Sequence, residues 1–161
     1  RSLGTLGSAL TAVGRLDEAR ALLERALGIA REHGERQHEA TLLLNLGNVF
    51  EFLGKPLEAQ PHFERYLALA RELGDAEAEA NALGSLGLVL HALGRMEESQ
   101  ARQEQALVLF RQIGARDNEA GALVNLGYRR KDAEQALKAV WDGGERSEEA
   151  LIRRTLARLA R

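Results

Sequence analysis

The feature that most constrains the fold of this chain is a Leu-Gly pair that recurs every 40 residues. Its copies are Leu6-Gly7, Leu46-Gly47, Leu86-Gly87 and Leu126-Gly127. Two further glycine series keep the same step, with Gly14, Gly54 and Gly94 in one and Gly34, Gly74 and Gly114 in the other. Thus 10 of the 16 glycines occupy three positions of a repeat. Self-similarity at a fixed period of this length predicts a repeat architecture.

Each repeat is predicted to hold two amphipathic helices. Within residues 39–53 and within residues 58–73, the apolar residues recur at the spacing that places them on one helical face. Apolar residues make up 45% of the chain, but aromatic residues only 4%, so the core must consist mainly of leucine, alanine and valine. These residues, with only two prolines, favour an all-α protein. Because neither helix can bury its face alone, we expect antiparallel helix pairs stacked as a solenoid.

The glycine positions have separate predicted roles. The two series that follow apolar runs should end the first and second helices in the left-handed conformation. The glycines of the Leu-Gly pairs lie inside the first helix, where glycine costs about 1 kcal/mol relative to alanine. We expect the second helix to approach closely there, near the small residues Ala19, Ala59 and Ser99. Pro61 should bend the second helix of its repeat or delay the start of that helix.

These residues resemble the tetratricopeptide repeat family. The family pattern of leucine, glycine, a large residue and two small residues is met by Leu6, Gly7, Leu10, Ala19 and Ala26. It recurs in the third copy, whereas Tyr66 replaces the last small residue of the second. Family members usually repeat about every 34 residues, so a period of 40 implies helices about one turn longer. This variant is similar to the repeats of kinesin light chain, of Pins-type adaptors and of bacterial signalling-regulator sensor regions.

The resemblance implies a single right-handed superhelical solenoid over residues 1–161. The repeats are predicted at about 1–38, 39–78 and 79–118, with a partial repeat at 119–130 and irregular C-terminal helices or a capping region at 131–161. The register requires a glycine cap at position 134 and a small residue at 139, but position 134 is Glu, so the cap is missing.

Two interpretations of this C-terminal part are open. In the first, a long irregular helix runs through Trp141 to a turn at Gly143-Gly144, and a last helix carrying Ile152, Leu156 and Leu159 caps the solenoid. In the second, a new repeat places Lys138 at the glycine position, which leaves the chain 29 residues short near Arg130-Lys131.

The family resemblance also implies where a partner binds, because tetratricopeptide solenoids hold peptides in a concave groove lined by first helices. The corresponding positions here are Thr41, Leu44, Asn45, Asn48, Glu51 and Phe52 in the second copy; Asn81, Gly84, Ser85, Leu88 and His91 in the third; and Val124, Asn125 and Tyr128 in the fourth. Asn45 and Asn48 are the leading candidates, because an amide both donates and accepts hydrogen bonds. The alternative is that these amides satisfy carbonyls of a neighbouring helix.

The groove positions lack the lysines and arginines that chaperone-binding members of the family use to clamp a terminal carboxylate. We therefore do not predict chaperone binding. His33 and His38, with Glu39 adjacent, could suggest a metal site, but their spacing of five crosses the turn at Gly34. They are predicted to be solvated loop histidines. His62 and His91 have no evident partner in the sequence.

Three glutamates, Glu24, Glu64 and Glu104, also recur at the repeat spacing. We expect them to form a solvated ladder of weak ion pairs with nearby arginines such as Arg65. No phosphate-binding loop, nucleophile motif or metal-binding helix is present in the sequence. The sequence therefore predicts no enzyme activity, no cofactor and no metal ion.

Charge and composition indicate the partner class. The net charge of −2, with both signs interspersed, offers no basic patch for nucleic acid or membrane. The absence of cysteine fits the cytoplasm. We expect a scaffold or sensor module that binds a protein or peptide, within a longer regulatory protein, since the chain begins inside a repeat. The alternative is a self-assembly module, in which the incomplete first repeat and the atypical end stack between chains.

Overall fold

The computed structural model describes residues 3–142, 154–155 and 157–159, with the side chains of 141 and 142 excepted. Residues 3–142 form eight α-helices: α1 (Leu3–Ala12), α2 (Leu16–Glu32), α3 (Arg36–Phe52), α4 (Pro56–Leu73), α5 (Ala76–Ala92), α6 (Met96–Gln112), α7 (Arg116–Asn125) and α8 (Arg130–Asp142). Consecutive helices pack against each other throughout this series. The predicted all-α solenoid of stacked helix pairs is confirmed. The pairs begin at Arg36, Ala76 and Arg116, three residues before the predicted repeat boundaries.

The glycines at the helix ends adopt the predicted left-handed conformation. The six glycines of the two series have φ values between 67° and 77°. After α4, for example, Gly74 has φ 67° and ψ 25°, and the Asp75 N–H donates a hydrogen bond to the Ala70 carbonyl at 2.9 Å. This bond closes the helix end in the pattern that a left-handed glycine allows.

Gly7, Gly47 and Gly87 lie inside first helices, as predicted, and each makes room for one side chain of the following helix. A Cβ on Gly7 would lie 2.7 Å from Leu23 Cγ, and a Cβ on Gly47 would overlap the Phe63 ring. At Gly87 it would overlap the Gln103 side chain. The side chains that occupy the space beside these glycines therefore lie one turn after the small residues named from the sequence. The small residues let the two helices approach each other, and the side chain one turn later packs against the glycine.

Pro61 does not delay the start of its helix. α4 begins at Pro56, and Pro61 lies within it. Proline at the first helical turn removes no hydrogen bond that the helix could make. Pro61 has no N–H for the Leu57 carbonyl, and Leu57 is 70% exposed, so solvent can satisfy that group.

A ladder of arginine–glutamate pairs connects successive helix pairs. Arg31 Nε lies 2.9 Å from Glu39 Oε1, and Arg71 Nε lies 2.7 Å from Glu79 Oε1. Arg111 and Glu119 form the corresponding pair 40 residues later. Each arginine lies in the last turn of a second helix, and each glutamate lies in the first turn of the next first helix. The pairs therefore join α2 to α3, α4 to α5 and α6 to α7.

The ladder predicted for the other glutamate series is wrong in its partners. Glu64 accepts a hydrogen bond from Gln60, and Glu104 accepts one from Gln100. Only Glu24 faces an arginine, Arg20, at 4.0 Å. These glutamates and glutamines lie four residues apart on one helix face, which brings their side chains together.

The fourth helix pair is shorter than the others. α7 ends at Asn125, and Gly127, predicted to lie inside the helix, instead has φ 97°. α8 packs against α7, and its buried residues Ala133, Leu137 and Val140 have the spacing of Ser99, Gln103 and Ala106 in α6. α8 is therefore the second helix of this pair, arriving six residues early. The helix that the first interpretation ran through Trp141 is present as α8, although it begins only at Arg130. The second interpretation is wrong, because Lys138 lies in a second helix and not at the glycine position of a first helix. Gly143-Gly144, Ile152 and Leu156 lie outside the described residues.

Candidate functional site

The predicted binding residues belong to α3, α5 and α7, except Tyr128, which follows α7. We call the surface formed by α1, α3, α5 and α7 the first-helix face. α1 contacts α3, and α5 contacts α7, so the first helices are neighbours along the solenoid. Between α5 and α7 lies a cleft of about 350 Å³, the α5–α7 cleft. The structure brings five predicted residues together there: Asn81, Gly84, Ser85, Leu88 and Asn125.

The floor of the α5–α7 cleft comes from α6. Gln103 is 1% exposed, and its Nε2 donates a hydrogen bond to the Gly84 carbonyl at 2.9 Å. Asn125 Nδ2 donates to Gln103 Oε1 at 3.5 Å. The buried amide of Gln103 thus connects both walls of the cleft. These hydrogen bonds hold the cleft in shape, because breaking either would leave a buried polar group without a partner and raise the free energy of the fold.

Two glycines leave the α5–α7 cleft open. Gly84 on α5 and Gly121 on α7 are helical residues, yet a Cβ at either would meet nothing within 4 Å. Packing inside the chain therefore does not require glycine at these positions, in contrast to Gly47. A helix-interior glycine costs about 1 kcal/mol relative to alanine. Glycine here exposes helix backbone to whatever enters the cleft.

A second cleft of about 210 Å³, the α3–α5 cleft, lies one step nearer the N-terminus. The predicted residues Thr41 and Asn81 line this cleft, together with Tyr66. Asn81 also lines the α5–α7 cleft. Burial, with the nearby charges of Asp75 and Glu77, raises the pKa of Tyr66 to about 12. The phenol is therefore a neutral part of the wall at neutral pH.

The early end of α7 leaves a third opening of about 350 Å³, the α7 notch. The predicted residues His91, Asn125 and Tyr128 line it, with Met96 and Gln103. Because Gln103 and Asn125 line both openings, the notch continues the α5–α7 cleft. A larger cleft of about 700 Å³ is lined by residues of α8 together with Arg154 and residues 157–159, and none of the predicted residues lines it.

The predicted residues of α3 are less concentrated. Asn45 Nδ2 donates a hydrogen bond to the Ser8 hydroxyl of α1 at 2.9 Å, a neighbouring side chain rather than the carbonyl considered from the sequence. The Asn48 side chain makes no hydrogen bond to the described part of the chain. Burial raises the pKa of Glu51, and Phe52 is 68% exposed. The other predicted positions, Leu44 and Val124, are half-buried.

The histidines have local partners. His33 Nδ1 lies 2.9 Å from the Ile29 carbonyl, and His38 Nδ1 lies 3.1 Å from Glu35 Oε2. The His62 ring stacks on Phe50 with centroids 5.2 Å apart, and burial is the main cause that lowers its pKa. Among the described residues, no three His, Asp or Glu side chains are placed to hold a metal ion. Nor could any of the helices described here cross a membrane.

Sequence reasoning missed several residues that line the clefts: Gln103, Gly121, Asn118, Glu77 and Asp117. A signal for Gln103 was present, because a buried amide replaces the apolar Leu23 and Phe63 at the same repeat position. Gly121 stands 40 residues after Asn81 and was detectable in the same way. Glu77 and Asp117 also share a repeat position, at which the preceding copy has Gln37.

Two family models match the sequence. The tetratricopeptide repeat model matches residues 1–72, and the model of the RuvA C-terminal domain matches residues 121–160. The second match coincides with the shortened fourth helix pair and the residues that follow it. No curated protein is significantly similar to the chain.

Solved structures of similar fold are more numerous. BtubC (BKLC) from P. vanneervenii has a TM-score of 0.68 at 20% identity, over 90% of this chain and 65% of that one. This chain therefore spans slightly less than two thirds of the length of BtubC. Nearly identical TPR-like repeats from a Podosopora anserina protein described as a kinesin light chain have a TM-score of 0.65 at 17% identity. That match covers 99% of this chain and 94% of the other.

Proposed function

We propose that the first-helix face of this chain binds a segment of another protein. The ground for this proposal is that the chain belongs to the tetratricopeptide repeat family. Repeats of this family generally mediate protein–protein interaction and are generally non-enzymatic. In this proposal the chain is a scaffold or sensor module of a larger regulatory protein in the cytoplasm. Its specificity then comes from the few cleft residues that the fold leaves free.

The α5–α7 cleft is the observation that carries the proposal. It is long enough to extend into the α7 notch, and it offers the polar side chains of Asn81, Ser85 and Asn125. The open positions at Gly84 and Gly121 let a guest chain approach the helices closely. Asparagine and serine can pair with the backbone of such a guest whatever its side chains are.

The test is to fill the cleft without disturbing the fold. Random dodecapeptides displayed on phage are selected against the chain, and the Kd of each selected peptide is measured by fluorescence anisotropy. Gly84→Leu should weaken binding at least tenfold, because the leucine occupies the space that the guest requires.

Gly28→Leu is the matched control, because Gly28 also lies inside a helix with nothing near its missing Cβ, but on α2. It should leave the Kd unchanged. If no peptide is selected, or if Gly84→Leu and Gly28→Leu bind the selected peptides equally well, the first-helix face is not the binding surface. The double variant Asn45→Leu with Asn48→Leu should raise the Kd of any peptide that reaches α3.

A further inference from the structure

We infer that the segment held in these clefts is cationic, with lysine or arginine side chains in two successive positions along the solenoid. This inference rests on the proposed function, since it specifies the chemistry of the guest on the same face. It follows from the side chains that line the α3–α5 and α5–α7 clefts, considered together with the openings at Gly84 and Gly121.

The charges of the two clefts are all negative. The residues lining the α3–α5 cleft include Asp75 and Glu77, and those lining the α5–α7 cleft include Asp117. Neither set contains a lysine, arginine or histidine. In a chain of 22 basic and 24 acidic residues, this one-sided lining gives the two clefts a negative potential that attracts cations.

Two of these carboxylates are available to a guest. Asp75 is already engaged, because its Oδ1 accepts a hydrogen bond from the Ala78 N–H at 2.9 Å. Glu77 and Asp117 are exposed and form no ion pair or hydrogen bond with the described residues. They occupy equivalent positions in successive repeats, so they present one carboxylate to each cleft.

The helix dipole accounts for an acid in the first turn of a helix, but it does not account for where these acids point. Glu39, Glu79 and Glu119 also lie in first turns, and each pairs with an arginine of the preceding helix. Glu77 and Asp117 have no such partner among the described residues, and each lines a cleft. The equivalent Gln37 shows that the fold does not require a carboxylate at this position.

Close approach makes the charges effective. Because Gly84 and Gly121 carry no side chain, a guest backbone can lie against α5 and α7, and its side chains then reach Asn81 and Asp117. Attraction between such partly exposed charges is modest for each pair, but two pairs act together, and salt weakens both.

The experiment uses the dodecapeptides selected against the chain. The selected set should be enriched in peptides carrying at least two lysines or arginines. Glu77→Gln combined with Asp117→Asn should raise their Kd roughly tenfold, and 0.5 M NaCl should remove most of the difference between the variant and the parent chain.

The matched control is Glu58→Gln combined with Glu97→Gln. These acids also lie in first turns, of α4 and α6, and the change in net charge is identical, but neither lines a cleft. This variant should bind the cationic peptides as tightly as the parent chain. Equal weakening by both double variants would mean that net charge alone matters, which overturns the inference.

The two proposals fail differently. Peptides that lose binding in Gly84→Leu, but that lack basic residues and ignore Glu77→Gln with Asp117→Asn, would overturn the cationic guest and keep the binding face. Peptides that are insensitive to Gly84→Leu would overturn the binding face itself, whatever their charge.

Discussion

The junction between α4 and α5 and the junction between α6 and α7 contain the same ion pair in different surroundings. Arg71 and Glu79 are 53% and 24% exposed at their side chains, whereas Arg111 and Glu119 are 3% and 0% exposed. At the later junction Arg111 Nη2 also donates a hydrogen bond to Thr155 Oγ1 at 3.1 Å, and Thr155 is fully buried. Residues near the C-terminus therefore cover a pair that remains exposed in the preceding repeat.

The difference shows that repeat position alone does not fix what a residue contributes. An exposed ion pair contributes between 0 and about 1 kcal/mol, because water and salt screen it. A buried pair gains little over an apolar substitute, yet breaking it leaves an uncompensated charge in the interior. The junction between α4 and α5 thus depends on apolar packing, whereas the junction between α6 and α7 also depends on one buried pair remaining intact.

The largest expected effect comes from breaking that buried pair. Arg111→Met should lower the free energy of unfolding by about 3 to 5 kcal/mol, because Glu119 is then left buried without its arginine. Arg71→Met should lower it by less than about 1 kcal/mol. Urea unfolding followed by circular dichroism at 222 nm measures both values.

Equal losses in the two variants would contradict the comparison. A double variant, Arg111→Met with Glu119→Leu, provides the control, because it removes both charges and leaves none unpaired. It should recover most of the stability that Arg111→Met loses.

A second contrast concerns Gly47 and Gly127, which share a repeat position but are glycines for different reasons. Gly47→Ala should cost about 2 kcal/mol, because the new Cβ overlaps the buried Phe63 ring and the ring cannot move freely. Gly127→Ala should cost about 1 kcal/mol, because φ is 97° there and an L side chain is strained. Thermal and urea unfolding of both variants measure these costs.

Asparagine separates the two causes, since it tolerates the left-handed conformation better than alanine. Gly127→Asn should be milder than Gly127→Ala, whereas Gly47→Asn should be worse than Gly47→Ala because it adds atoms where Phe63 lies. The opposite order at either position would refute the explanation given for that glycine.

The sequence predicted the regular repeats well because their signals are local and periodic. The caps at Gly34 and Gly74 follow directly from a glycine after an apolar run, and Gly47 follows from its place inside one. The end of α7 could not be predicted in the same way. Gly127 continues the lattice in sequence, and only the helix that follows, with Ala133 and Leu137 six residues early, shows that the repeat is shortened.

The candidate site was predicted less completely than the fold. The binding face is a prediction from the family resemblance, which a binding experiment tests. Five of the predicted residues line one cleft on that face. The contribution of α6 was not predicted, because Gln103 belongs to a second helix and enters the cleft only through the space at Gly87. The periodicity of the sequence also could not predict which acidic residues form ion pairs, because this depends on the positions of the side chains in the folded protein.

The smallest expected effect concerns the starts of α5 and α7, which sharpen the comparison at equivalent positions. Asp75 caps α5 through its hydrogen bond from the Ala78 N–H, whereas Ala115 precedes α7 and no side chain caps that helix. Asp75→Ala should lower the free energy of unfolding by about 1 kcal/mol, and Ala115→Asp should raise it by up to about 1 kcal/mol.

The two exchanges are matched, because acidic residues follow at the same offsets, Glu77 and Glu79 in one helix and Asp117 and Glu119 in the other. If Ala115→Asp gives no gain while Asp75→Ala is costly, the start of α7 differs from the start of α5 in more than its missing cap, and the irregularity of the fourth helix pair begins before Arg116.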